Sequence, residues 1–154
     1  MITRPVTPTD APRISTMLQA HVAAGKRSSP ADEAFVLERY IDDPARIACT
    51  LAEDDAGSLL GFQSLTLAAE GNPYGTPAGW GIIGTHVAPG AGRGGVGSRL
   101  FEVTQAVGLE VGLRDIEAVI GVRNVEGQAY YEKMGFITHR LEGDAIAKRY
   151  RYGR

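Results

Sequence analysis

The sequence predicts an α/β protein: one mixed, mostly antiparallel sheet with helices on both faces, in a single domain over residues 1–154. Three observations predict it. The first half carries a hairpin pattern, "RIACTLAE" and "SLLGFQSLTLAA" about the turn "DDAG". The second half alternates apolar runs with helical patterns, as βαβ units do. Between them, "HVAPGAGRGGVGSRLF" crowds glycines into the joint of a strand and a helix, although glycine inside a helix costs roughly 1 kcal/mol relative to alanine.

Each element has its own signal. "ITRPV" reads as a short first strand. In "TPTDAPRISTMLQAHVAA", Ile14, Met17, Leu18, His21 and Val22 recur at helical spacing, and Gly25 stops the helix. "GKRSSP" is a polar loop, and Ser29-Pro30 suits the start of a helix over about Pro30 to Ile41, broken by "DDP". After the hairpin comes "EGNPYGTPAG", a loop dense in glycine and proline, and then the strand "WGIIGTHVAP", ended by Pro89. A helix runs from about Gly95 to Gly112, with Leu100, Val103, Val107 and Val111 on one stripe. "IEAVIGV" is a nearly continuous apolar run, as in a strand covered on both faces. "NVEGQAYYEKMG" is a helix capped by Asn124 and ended at Gly135, and "FITHR" and "AIAKRYRY" are closing strands. The order is β-α-α-β-β-β-α-β-α-β-β. Sheets of this kind bind ligands beyond the carboxyl ends of their strands.

Composition narrows the function. A net charge of −2 gives no overall basic footprint for nucleic acid. The one cysteine, Cys49, cannot form an internal disulfide, and in "RIACTLA" it reads as a small buried hydrophobe. His21, His86 and His139 are scattered, so no metal is expected. "MITRPVTPTDAP" lacks the apolar core of a signal peptide, and no apolar run reaches the ~18 residues of a membrane span. A cytoplasmic protein without membrane association is the expectation.

The glycine joint suggests chemistry. A helix start presents unpaired N–H groups and about half a positive charge. Glycines turn the backbone sharply and let a ligand approach without interference from Cβ. Gly90 to Ser98 therefore forms a candidate phosphate cradle, with Arg93 adding a positive charge. It is not a Walker A loop, which needs Lys-Ser/Thr after its last glycine, and it lacks dinucleotide spacing.

An apolar strand, "VAP", and then "GRGGVGSRLF" resembles the acetyl-CoA loop of the GNAT superfamily of N-acetyltransferases. "NVEGQAYYEKMGF" is similar to that family's late motif, with Asn124, Tyr131 and Glu132-Lys133-Met134-Gly135-Phe136 in its places. The likeness is strong from about Trp80 to Phe136. The loop departs at one point. The family's Arg/Gln position falls on Gly92, and Arg93 comes one place later, while Gly95 and Gly97 keep the glycine positions.

The resemblance implies a splay between the strand ending at Val87 and a parallel neighbour near Ile116–Val122, with pantetheine in the gap. It implies that the amide of Val87 or a neighbour such as Ala88 polarises the thioester carbonyl. Gly92, Arg93, Gly94, Gly95, Val96, Gly97 and Ser98 would hold the pyrophosphate, and Asn124 would reach the pantetheine arm. Tyr131 would protonate the departing thiolate of acetyl-CoA, the cosubstrate. The acceptor would be a primary amine of a small molecule or peptide, attacking directly in a ternary complex. A non-catalytic acyl-CoA sensor and an ATP-binding protein are the competing readings. A homodimer stays open.

Other residues carry readings of their own. His86 lies beside the implied oxyanion donor, and an ordinary imidazole pKa near 6.5 suits a base; it equally suits a structural histidine. Trp80 and Tyr74 either line an acceptor pocket or pack over the sheet end. In "GKRSSPADE", Lys26 and Arg27 would attract an anionic acceptor, and Asp32 and Glu33 a cationic one. The closing "KRYRYGR" reads as an exposed edge strand protected by charge.

Overall fold

The computed structural model describes residues 1–92 and 94–153. The elements are β1 (Ile2–Pro5), α1 (Ala11–Ala23), α2 (Glu33–Val36), β2 (Arg46–Glu53), β3 (Leu59–Leu67), β4 (Gly81–Val87), α3 (Val96–Glu110), β5 (Asp115–Gly121), α4 (Val125–Lys133), β6 (Ile137–Glu142) and β7 (Ala145–Arg151). Their order matches the sequence-based order throughout. They form a 7-stranded sheet in the order β1-β2-β3-β4-β5-β7-β6. Every neighbouring pair is antiparallel except β4–β5, which is parallel.

Side chains alternate across this sheet and build two cores. On one face, Ile14, Met17 and Leu18 of α1 and Val36 of α2 bury against Leu51 and Phe62. On the other, Leu65, Ile83, Ile116, Ala118 and Ile120 meet Phe101 of α3 and Tyr131 of α4. The fold thus puts α1 and α2 on one side of β4, and α3 and α4 on the other.

Three readings need correction. The second helix begins at Glu33, with Asp32 at its N-cap, rather than at Pro30. The carbonyls before it are held by side-chain donors: Ser15 Oγ of α1 donates to Ala31 O at 2.6 Å, and Arg27, three residues back, to Pro30 O at 2.7 Å. A wide turn over Leu37–Ile41 then ends the segment.

The buried stripe of α3 is Val96, Leu100, Phe101, Thr104 and Gly108, rotated from the predicted one. Val111 is exposed, and Val103 and Val107 line a cleft with Thr3, Ile47 and Cys49. Tyr152 fixes this rotation: its hydroxyl donates to Gln105 O at 2.8 Å and its ring fills the space beside Gly108.

The final strand is not an edge. β7 inserts between β5 and β6, which leaves β6 and β1 as the edges. Lys148 is accordingly buried, donating to Glu132 Oε2 and Thr138 Oγ1 at 2.6 Å each.

Candidate active site

The parallel pair opens almost as soon as it forms. β4 and β5 pair only at Gly81–Ile116 and Ile82–Glu117, although β4 continues to Val87 and β5 to Gly121. Beyond Ile82 the facing edge of β4 has no strand partner. Ala88 N–H donates to Leu60 O of β3 at 2.8 Å. Peptide groups alternate along a strand, so the main-chain groups of Thr85 and Val87 point the other way, into the opening.

At the carboxyl end of β4 the glycine joint lifts the chain into α3. Gly90 and Gly95 take φ of 85° and 78°, a left-handed conformation that glycine adopts without strain. Gly95 is the N-cap of α3, and no side chain caps the helix. Among the described residues, the amides of Val96, Gly97 and Ser98 find no acceptor. Nothing among the described residues lies within 4 Å of where a Cβ on Gly92 or Gly95 would sit, so the backbone there faces open space. Gly94 N–H makes one long bond to Ala91 O, at 3.4 Å. Arg93 lies outside the described residues.

α4 aims its tyrosines into the opening. Asn124 caps this helix, its Oδ1 accepting from Gly127 N–H at 2.9 Å. Gly135 (φ 102°) ends it and returns the chain to β6. Tyr131 is buried, with its hydroxyl 2.8 Å from Thr85 Oγ1 on β4. Burial pushes this phenol well above its ordinary pKa, against hydrogen bonds from Thr85. Tyr131 is therefore a protonated phenol throughout the physiological range. Tyr130 donates to Gly97 O at 2.7 Å and accepts from Gln63 Nε2 at 3.0 Å. Gln63 Nε2 also donates to Thr85 Oγ1 at 2.9 Å.

The structure thus brings Tyr131, the open edge of β4 at Thr85 and Val87, and the start of α3 to one opening; the Ala88 amide, also expected there, is instead taken by Leu60 O of β3. It does not bring His86 or the side chain of Asn124 into the Tyr131 cluster. Asn124 is exposed and engaged in its cap. His86 points to the α1–α2 face, stacked on Phe62 with centroids 4.7 Å apart. Burial, with Arg27, His21 and Arg39 nearby, pushes its pKa down to about 3. An imidazole in that setting is neutral at physiological pH and a poor proton acceptor. Cys49 is buried and its thiol is pushed up to about 12 by burial, so it is no nucleophile.

Sequence reasoning overlooked Gln63 and Thr85 and gave Tyr130 no role beyond packing beside the sheet. Alternation contained a signal for the first two. Each falls on the same face as an apolar residue two places away, Leu65 and Ile83, so a polar side chain there must enter the core. Tyr130 was visible only as a neighbour of Tyr131.

A second polar group lies on the opposite face, at the closed end of the pair. Glu117 is buried; its carboxylate accepts from Arg140 Nη2 at 2.6 Å, Thr76 Oγ1 at 2.7 Å and His139 Nε2 at 2.6 Å. Burial raises the Glu117 pKa, and the bonds from Arg140, Thr76 and His139 overcome it, for a net lowering. Arg140 also donates to Tyr74 O at 2.7 Å, so the network ties the loop before β4 to β5 and β6. Trp80 packs on the His139 ring, centroids 5.7 Å apart, and Tyr74 holds Arg39. Among the described residues, no group of three His, Cys, Asp or Glu side chains is placed to hold a metal ion, and no helix is long and apolar enough to cross a membrane.

The sheet order, the single parallel pair and the helices on both faces are shared with known proteins. Residues 15–136 match the model of the acetyltransferase (GNAT) family, and the chain belongs to that family. Among solved structures, a phosphinothricin acetyltransferase from Sinorhizobium meliloti in complex with AcCoA is 18% identical, with a TM-score of 0.81 over 99% of this chain and 88% of that one. The GNAT domain of S. lividans PAT is 22% identical, with a TM-score of 0.77 over 97% and 89%. A ribosomal-protein-alanine N-acetyltransferase from Brucella melitensis is 16% identical, with a TM-score of 0.76 over 98% and 99%. No curated protein matches the sequence as a relative.

Proposed function

We propose that the protein transfers an acetyl group from acetyl-CoA to a primary amine of a small molecule or peptide, by direct attack in a ternary complex. The observation that carries this reading is the opening of β4 from β5 after Ile82, with the Tyr131 hydroxyl against Thr85 inside it. The family supports acetyl transfer. Solved structures of the same fold, named for alanine of a ribosomal protein, for phosphinothricin and for spermidine, support an amine as acceptor.

The amides of Gly92 to Ser98, at the positive end of α3, would hold the pyrophosphate of CoA. The main-chain groups of Thr85 and the N–H of Val87, whose carbonyl already meets His21 Nε2, would bond the pantetheine arm as a neighbouring strand would. There the thioester carbonyl would meet a main-chain N–H, which stabilises the oxyanion as the amine attacks. Gln63 Nε2 donates to Thr85 Oγ1, and the Thr85 hydroxyl has one proton of its own that it can direct to Tyr131 Oη. That leaves the Tyr131 proton free to go to the sulfur as the C–S bond breaks, and the phenolate takes a proton back from solvent as CoA leaves, which balances the proton the amine gives up. The attacking amine loses a proton to solvent, and His86 is reassigned from proton acceptor to a residue of the acceptor face. No enzyme nucleophile is needed, in keeping with the inert Cys49.

The test measures thiol release from acetyl-CoA across a panel of amines, with the acetylated product confirmed by mass spectrometry. Release coupled to N-acetyl product supports the reading. Binding of acetyl-CoA without product for every amine would replace it with the sensor.

A further inference from the structure

The loop between α1 and α2 holds an arginine that the transfer chemistry leaves unused. Arg27 lies over the ring of Phe35, 5.6 Å from its centroid, with Nη1 at 3.4 Å from His86 Nε2. Its Nε and Nη2 donate to Pro30 O at 3.3 and 2.7 Å. Among the described residues no carboxylate pairs with it. Its acidic neighbours Asp32 and Glu33 are exposed and turned to solvent. Arg4, Arg13 and Arg140, by contrast, each bind carboxylates within the fold. Arg27 is held in place without being neutralised.

Its position matters because Tyr130 and Tyr131 pack on the α3–α4 face of the opening, and the transfer reading then places the amine on the face of α1 and α2. That face, next to the reacting edge, presents His86, His21 and Arg27. His86 is the chain neighbour of Thr85, and His21 Nε2 lies 2.9 Å from Val87 O. Gly84 adds no side chain over the strand between them. A guanidinium facing His86 Nε2 makes that nitrogen the acceptor, which puts the proton on Nδ1, a buried atom with no partner. Among the described residues, the cluster of His86, His21 and Arg27 therefore carries a fixed positive charge with no carboxylate bonded to it.

We propose that Arg27 recognises an anionic group of the acceptor, so that the substrate is a small amine with a carboxylate or similar oxyacid group a few bonds from its nitrogen: an amino acid or a close analogue. The proposal rests on the acetyl-transfer reading and names its substrate class. An arginine fork binds such a group bidentately. The same charge repels a polyamine, which gives discrimination by repulsion as well as attraction.

The test is equilibrium binding, by calorimetry, of the common L-amino acids, their carboxamides and spermidine to the CoA-loaded protein, for the native chain, Arg27→Gln and Arg27→Lys. At least one amino acid should bind, about tenfold or more tighter than its carboxamide. Arg27→Gln should abolish that difference, leave the carboxamide within about twofold, and leave CoA binding unchanged; Arg27→Lys should restore it in part. The proposal is overturned if no amino acid binds, if carboxamides or spermidine bind as well, or if Arg27→Gln keeps the discrimination. Binding with this pattern but without N-acetyl product would uphold the subsite and remove the transfer reading, so the two fail separately.

Discussion

The ring of Tyr130 occupies the space that a Cβ on Gly97 would need: Cε1 would lie 2.5 Å from it, and the Tyr130 hydroxyl donates to the Gly97 carbonyl at 2.7 Å. The first turn of α3 is therefore seated on α4 through a residue that the sequence suggests is glycine for the sake of a ligand. Gly97 and Gly92 serve different ends, and substitution separates them.

Gly97→Ala should destabilise the protein by about 1–3 kcal/mol, as overpacking does, in the absence of any ligand. Gly92→Ala, whose Cβ meets nothing within 4 Å, should leave unfolding unchanged within about 0.5 kcal/mol while weakening CoA. Urea unfolding and CoA titration of both variants check this. Equal loss of stability in the two would contradict it.

Tyr131→Phe should lower kcat about 10²-fold or more with CoA affinity nearly intact, the range of acid catalysis. Thr85→Val should also reduce kcat, by disturbing the orientation of the phenol. Because burial holds Tyr131 protonated, its ionisation should produce no fall in kcat between pH 7 and about pH 9. A turnover number unchanged in Tyr131→Phe would remove it from the mechanism.

Asp10 ties β1 to α1. It accepts from Arg4 at 2.8 and 3.0 Å, from Thr7 N–H at 2.8 Å and from Arg13 at 3.0 Å. The Arg4 bonds hold its carboxyl well below the ordinary range. A lowered folded pKa stabilises above the unfolded value of about 3.9 and is lost as pH falls through the folded one. Thermal stability should decline below about pH 4, and Asp10→Asn should flatten that decline. The neutral variant should cost about 1–2 kcal/mol at pH 7, less than a fully buried pair because both arginines are partly solvated.

Glu117→Ala would remove the shared partner of Arg140, His139 and Thr76, leaving Arg140 its contacts to Glu142 and Tyr74 O. A loss of about 1–3 kcal/mol is expected, below that of a fully buried pair because Arg140 keeps a partner and some solvent, together with faster proteolysis in the segment from Ala68 to Trp80. Native-like stability in this variant would mean that the network contributes little.

Much of the fold was legible before any coordinates. The hairpin, the glycine joint and the Asn124 cap are local events, and the residues that make them are neighbours in the chain. The two motifs that mark the family are local for the same reason: a turn and a helix cap need particular residues at fixed short spacing. His86 carried two readings, base and structural histidine, because the neighbours that bear on them, Phe62, Arg27 and His21, are distant in sequence.

Periodicity and turn chemistry along the chain established the element order and placed Tyr131 and the cradle glycines on their elements. Only the packed molecule decided that β7 lies inside the sheet, that α2 starts late, that Tyr130 seats α3, and that Arg27 stands unneutralised over His86. Those outcomes depend on which distant side chains compete for one donor, one carbonyl or one cavity, and that competition exists only once the chain has closed on itself.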